Sequence, residues 1–235
     1  EDKVGLIHFV LNLLEISASR LTASIFELLI TNPALQKQQR ISIEEASDIT
    51  RALQAAGFTW GLDSSERFGE EAHSLRWCLE RLLLGLVLPD DPIIGIKNIS
   101  PYSETISNTE FIKAWSTLSK LCNYIDEIRS KRSCKEWIKL ITSLVKDLFG
   151  DGGQWAWEAQ QLLTIVNNWG LITTHCELEI DCLVVKDVIT KALSSTNGKF
   201  GHRTGKITIS ALEPMRAIPH EIIIVMGLEL SLIHI

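Results

Sequence analysis

The stretch ITISALEPMRAIPHEIIIVMG, from Ile207 to Gly227, holds one arginine between two prolines and two apolar runs. Pro214 and Pro219 fix backbone φ and lower the entropy of holding Arg216 in place. A guanidinium presented in this way can contact a phosphate or pair with a carboxylate of another subunit. A salt bridge within the fold is an equally good reading. The tryptophans at 60, 77, 115, 137, 155, 157 and 169 are the other residues with binding chemistry, because an aromatic face can stack a nucleobase. Trp115 and Trp137 fall on apolar helix faces and read as core. Trp60 falls between elements, where stacking and packing are both open.

Other chemistries lack their residues. There is no GxxxxGK[ST] phosphate cradle, no GxSxG and no HExxH. His8, His73, His175, His202, His220 and His234 are dispersed, so no metal site is expected. Asp90-Asp91 sits between prolines and reads as a solvated turn rather than a metal-binding pair. The five cysteines, Cys78, Cys122, Cys134, Cys176 and Cys182, form no CxxC and read as buried thiols in a reducing compartment.

The frame around these residues is a chain of 235 residues, 46% hydrophobic and 22% charged. This suits one or two domains with real cores. The net charge of -6 disfavours autonomous DNA binding but allows a local basic contact inside an assembly. No signal peptide and no 18-residue apolar run is seen. Both ends begin or stop inside apolar patterns, so the chain reads as a piece of a larger protein.

Helical periodicity dominates up to residue 195. Leu6, Ile7, Val10, Leu13 and Leu14 share one face. Thr22 or Ser24 offers the next N-cap, with Ser24 and Glu27 spaced as a capping box, and Asn32-Pro33 is expected to stop that helix. Ser42 with Glu45 opens another, closed at Gly57. Leu75, Cys78, Leu79, Leu82, Leu83 and Leu86 form a broad apolar stripe, which Pro89 to Pro92 should end. After a loop, helices are predicted around 111–125, from Ser133 to Gly150, at 154–169 and from Asp181 to Ser194-Ser195.

Strands are predicted only afterwards. Residues 207–212 alternate, as a half-buried strand would, and 222–226 are continuously apolar, as a strand covered on both faces would be. Two such strands need further strands from outside the segment. The expected fold is mainly α with a small α/β part. A helical domain over 1–200 is followed by the start of an α/β core over 201–235.

Three motifs together point to a family. ISALEPMRAIPHEIIIVMGL resembles the signature elbow of the RecC family, the gamma chain of exodeoxyribonuclease V. FTWGLD (58–63) is similar to that family's RWGLD, and LRWCLERLLLGLVLP (75–89) to its W-FGLDRLLLGYAMP. HFVLNLLEISASRLTASIFELL is similar to a helix pair preceding them. The resemblance covers most of residues 1–227, weakest over 93–175. It breaks after Gly227, where LELSLIHI replaces an acidic turn, so Leu232 to Ile235 carry no interpretation.

The resemblance implies a superfamily 1 helicase-like fold without ATP hydrolysis. Residues 1–200 would be an accessory 2B-like helical subdomain returning into a parallel sheet, the second RecA-like core. Laid on helicase motif V, Arg216 falls at the lysine, Ala211 at the threonine, Glu213 at the histidine and Ala217 at the glycine. The motor residues are therefore gone and the cation stays. Arg216, Ser210, Met215 and Trp60 become candidate DNA contacts, with Pro214, Pro219 and Gly227 shaping the elbow. No catalytic residue or metal site is expected in the segment. Implied partners are DNA ends and single strands, and RecB-like and RecD-like subunits that use ATP and Mg²⁺, in the bacterial cytoplasm. The alternatives are an active superfamily 1 helicase or AddB-like helicase–nuclease, or a helical protein-interaction scaffold.

Overall fold

The architecture comes from a computed structural model that describes residues 5–88, 96, 99–103, 108–176, 178–196, 222, 224 and 225. Among these residues it is mainly helical. The order is α1 (Leu6–Ser17), α2 (Ala23–Ile30), α3 (Pro33–Gln39), α4 (Ile43–Ala55), α5 (Leu75–Gly85), α6 (Asn108–Arg129), β1 (Arg132–Ser133), α7 (Cys134–Phe149), α8 (Ala156–Ile172), β2 (Glu179–Ile180) and α9 (Cys182–Thr196). A 3₁₀ turn, Gly153–Trp155, leads into α8.

Local chemistry sets several boundaries as expected. Ser42 accepts from Glu45 N–H while the Glu45 carboxylate accepts from Ser42 N–H, a reciprocal capping box. Ser133 and Glu136 do the same for α7. Gly57, with φ of 103°, follows the end of α4; its N–H reaches Gln54 O and Phe58 N–H reaches Leu53 O, closing the helix in a left-handed turn that favours glycine.

Four expectations need correction. Thr22, not Ser24, caps α2 by accepting from Ile25 N–H, so Ser24 lies within the first turn and no Ser24–Glu27 box forms. Asn32-Pro33 begins a helix as well as following one: the Asn32 side chain accepts from Ala34 and Leu35 N–H, and proline is pre-organised for the first helical position. The stripe helix α5 ends at Gly85, before the proline pair. Strands do occur before residue 195, where β1 and β2 pair antiparallel through Arg132–Ile180 and Ser133–Glu179.

The chain divides into two units, Glu1–Ser194 and Ser195–Ile235. The first has one core. α2 packs on α4, α4 on α5, α1 on α6 and α8, α3 on α7, and α7 on α8. Trp137, Phe9, Phe26, Phe111 and Phe149 are its largest fully buried side chains. Phe9 and Phe149 meet edge-to-face at 5.2 Å. Glu158 of α8 reaches across to accept from Ile7 N–H at 2.9 Å, so α1 takes its N-terminal acceptor from another helix.

In the second unit, Ile222, Ile224 and Val225 belong to no strand and are exposed. The buried strand expected at 222–226 is therefore not seen at these three positions. β-branched side chains favour extended backbone, but a strand forms only where a neighbour takes up its ladder hydrogen bonds. The expected strand over 207–212 lies outside the described residues.

Candidate functional site

The loop from Ala56 to Ser74, between α4 and α5, carries the one candidate DNA contact within the described residues, Trp60. It is pinned at both ends of its first half. Trp60 forms an antiparallel bridge with Thr22, and Gly61 N–H donates to Leu21 O at 2.7 Å. On the other side Leu75 N–H donates to Gly61 O and Arg76 N–H to Leu62 O. Residues 60–62 are thereby held between the start of α2 and the start of α5. Gly61 has φ of 86°, and a Cβ there would sit 3.1 Å from Arg67 Cγ. Both facts favour glycine in the FTWGLD motif.

Two guanidiniums lie over the half-buried Trp60 ring. Arg20 is 4.3 Å and Arg67 4.8 Å from its centroid. Each such contact is worth about 0.5–2 kcal/mol, more when desolvated. Arg67 is fixed further by donating to Thr59 Oγ1 at 3.2 Å and to Trp60 O at 2.9 Å. Arg20 is exposed and makes no hydrogen bond or ion pair among the described residues. Its donors therefore stay available, and a guanidinium rather than open space lies against the ring.

Carboxylates brace the loop from beneath. Glu66 accepts from Leu62 N–H at 2.7 Å and from the Arg129 guanidinium, and Arg129 Nε donates to Ser17 O at 3.1 Å. The ends of α1 and α6 are thus tied to the loop. Arg76 stands 3.9 Å from Asp63 and 3.1 Å from Asp126. These pairs neutralise Arg76 and Arg129; among the described residues neither Arg20 nor Arg67 has a carboxylate partner beside Trp60, and of the two it is Arg20 whose donors are not taken up by other groups of the loop.

Among the described residues no other chemistry is assembled nearby. Burial pushes the Cys78 and Cys122 thiols up to about 12, which leaves them protonated and unreactive. Burial also raises Cys134 and Cys182. Among the described residues no three His, Cys, Asp or Glu side chains are grouped to hold a metal. No described helix is long and apolar enough to cross a membrane. A cavity of about 780 Å³ beside the α3–α4 connection brings Lys37, Arg40 and Lys113 against Glu44, Glu45 and Asp48. Lys113 pairs with Glu45 at 3.3 Å and Lys37 donates to Gln154 at 2.8 Å, so its charges are largely satisfied within the fold.

Of the residues singled out in the sequence, Arg216, Ser210, Met215, Pro214, Pro219 and Gly227 lie outside the described residues, as do Asp90 and Asp91. Trp115 packs against the core and Trp137 lies within it, as their helical spacing implied. Arg20 and Arg67 were not anticipated. Arg20 comes from a different connection, between α1 and α2, and Arg67, although on the same loop as Trp60, lies in a stretch with no periodicity to link it to the ring.

Comparison with known proteins adds a second line of observation. A family model described as RecBCD enzyme subunit RecC fourth domain matches residues 4–197. The chain is similar to RecBCD enzyme subunit RecC of Mycolicibacterium smegmatis, with 24% identity over 225 residues, covering 92% of this chain and 20% of the relative. Against the protein of the same description from Haemophilus influenzae it is 24% identical over 233 residues, covering 95% and 20%. For that of Mycobacterium tuberculosis H37Rv the identity is 21% over 226 residues, covering 92% and 20%. The chain spans about a fifth of the length of the curated relatives it matches.

Proposed function

The chain belongs to the RecC family, its residues 4–197 matching the family's fourth domain, and from this we propose that it is a non-catalytic, DNA-handling part of a RecBCD-type exodeoxyribonuclease V. In this reading it works in the bacterial cytoplasm during double-strand-break repair and homologous recombination. RecB-like and RecD-like subunits supply ATP hydrolysis and DNA cleavage, using ATP and Mg²⁺. The helical body acts as the accessory subdomain of a helicase-like fold, and the elbow around Arg216 is a motor element retained for its shape and its cation.

The observation that carries the DNA role is Arg20 over Trp60. A guanidinium that is stacked on one plane, exposed, and without an acceptor of its own is a pre-organised phosphate donor. Trp60 restricts it, and Arg67 and Thr59 hold the loop beneath it. One such contact suits a chain of net charge -6, which would bind nucleic acid locally within an assembly rather than over a broad basic face.

The test uses the full-length chain assembled with its partner subunits. Binding to DNA ends is measured across a salt series for the parent, Arg20→Ala and Arg216→Ala. Loss of one phosphate contact should weaken binding and reduce the log–log salt slope by roughly 0.7–0.9, with ATPase activity retained. Parent-like affinity and slope in both variants would remove the DNA role from these arginines.

A further inference from the structure

At the far end of the same loop a phenylalanine stands free. Phe68 is 100% exposed, although it lies in a folded loop. Its backbone has φ of 57°, a left-handed conformation that a bulky residue rarely adopts. Gly69 follows with φ of 95°, and a Cβ there would meet nothing within 4 Å.

The tip is nevertheless firmly built. Ser64 O accepts from both Arg67 N–H at 3.1 Å and Gly69 N–H at 2.9 Å, and Glu70 N–H donates to Arg67 O at 3.1 Å. On the stem, His73 Nδ1 is 2.7 Å from Gly57 O, and His73 O accepts from Thr59 N–H. These bonds fix the backbone from which the ring projects, and from that backbone the ring stands fully exposed. A phenylalanine buries roughly 150–250 Å² when covered, so leaving it in water forgoes a large apolar contribution.

Charge distinguishes the two kinds of cover. Glu70 and Glu71 follow the ring, both exposed and neither engaged by a cation among the described residues. Arg67, the nearest cation in sequence, is directed to Trp60 and Thr59. A nucleic-acid strand approaching Phe68 would bring phosphates against two carboxylates. A protein surface with an apolar hollow ringed by lysine or arginine would instead match the ring and both charges. A second copy of this chain, with net charge -6, is a poor electrostatic match.

We propose that the Phe68–Glu71 tip is a docking knob for another protein subunit, with Phe68 entering an apolar socket rimmed by basic side chains that face Glu70 and Glu71. The proposal rests on the assignment of the chain to a multi-subunit RecBCD-type enzyme. It places opposite functions at the two ends of one loop: a stem where Trp60 meets Arg67 and, from the α1–α2 connection, Arg20, and an acidic, aromatic tip for protein.

The full-length chain is titrated with its partner subunits, and association is followed by analytical ultracentrifugation. Phe68→Ser should weaken association about tenfold or more, as for a central aromatic anchor, whereas Phe68→Leu should retain most of it. Glu70→Gln combined with Glu71→Gln should weaken association at low salt and remove most of its salt dependence. A photo-crosslinking residue at position 68 should join the chain to a different subunit. Parent-like association of Phe68→Ser would overturn the proposal. So would crosslinks confined to the chain's own polypeptide or a second copy, or a lowered DNA affinity of Phe68→Ser at saturating partner. If the parent chain itself failed to associate, the assembly reading would fall and this proposal with it. Parent association with an indifferent Phe68 sinks the knob alone.

Discussion

Trp137 donates its indole N–H to the carbonyl oxygen of Ile180 at 3.0 Å, from a side chain with 0% of its surface exposed. The bond joins α7 to β2 at the point where β1 and β2 pair, so one side chain both fills the core and fixes the two-stranded corner. Replacing Trp137 with phenylalanine should leave the Ile180 carbonyl without this donor and cost about 1–3 kcal/mol. Replacing it with alanine adds a cavity and should cost about 3–5 kcal/mol. Chemical denaturation of the three proteins checks the order; equal midpoints for parent and Trp137→Phe would show that the bond contributes nothing.

Gly85 ends α5 in the segment LLLG, where alanine would ordinarily be the better helix former by about 1 kcal/mol. An added Cβ would lie 2.1 Å from the backbone oxygen of Tyr102, which the Tyr102 N–H to Arg81 O bond holds against the helix. Backbone cannot yield as a flexible side chain would, so the clash should outweigh the propensity gain. Gly85→Ala is expected to lower stability by about 1–3 kcal/mol, read as a reduced melting temperature. A raised melting temperature would contradict this packing.

The two capping boxes make acid stability predictable in sign. The Ser42 backbone N–H holds the Glu45 carboxyl below its ordinary value of 4.5, helped by Lys113. The Ser133 backbone N–H does the same for Glu136. A carboxylate with a depressed folded pKa contributes stability above pH 4.5, and that contribution is lost as pH falls through the lower folded value. Glu45→Gln and Glu136→Gln should therefore show a flatter stability–pH curve in this acid window while keeping the helices capped. Curves parallel to the parent's below pH 4.5 would refute the assignment.

Thiol chemistry should separate the cysteines. Cys78 and Cys122, buried and raised to about 12, have almost no thiolate near neutral pH. Cys176 is only half-buried. Alkylation of the native chain followed by peptide mapping should label Cys176 first, with Cys78 and Cys122 labelled only on denaturation. Early labelling of Cys122 would mean that α6 opens locally well before global unfolding.

Local signals were legible and distant ones were not. Ser42–Glu45 and Ser133–Glu136 are three residues apart, so the cap and its reciprocal acceptor are present in the sequence itself. The apolar faces of α1, α4, α6 and α7 follow equally from spacing, since burial of one stripe is what a helix on a core requires. Asn32-Pro33 carried two meanings, a stop and a start. Which applied depended on whether the next residues, Ala34 and Leu35, had a core to enter.

The amino-acid sequence by itself determined the mainly helical character, most helix boundaries and, through its three motifs, the family. It left open what surrounds Trp60. Only the tertiary structure decided that Arg20 and Arg67 stack over that ring, that Glu66 meets Arg129, and that Phe68 is left in water. The reason is physical. Periodicity and capping are encoded by residues a few positions apart, whereas a cation over an aromatic ring depends on where separate helices come to rest when their apolar faces share one core.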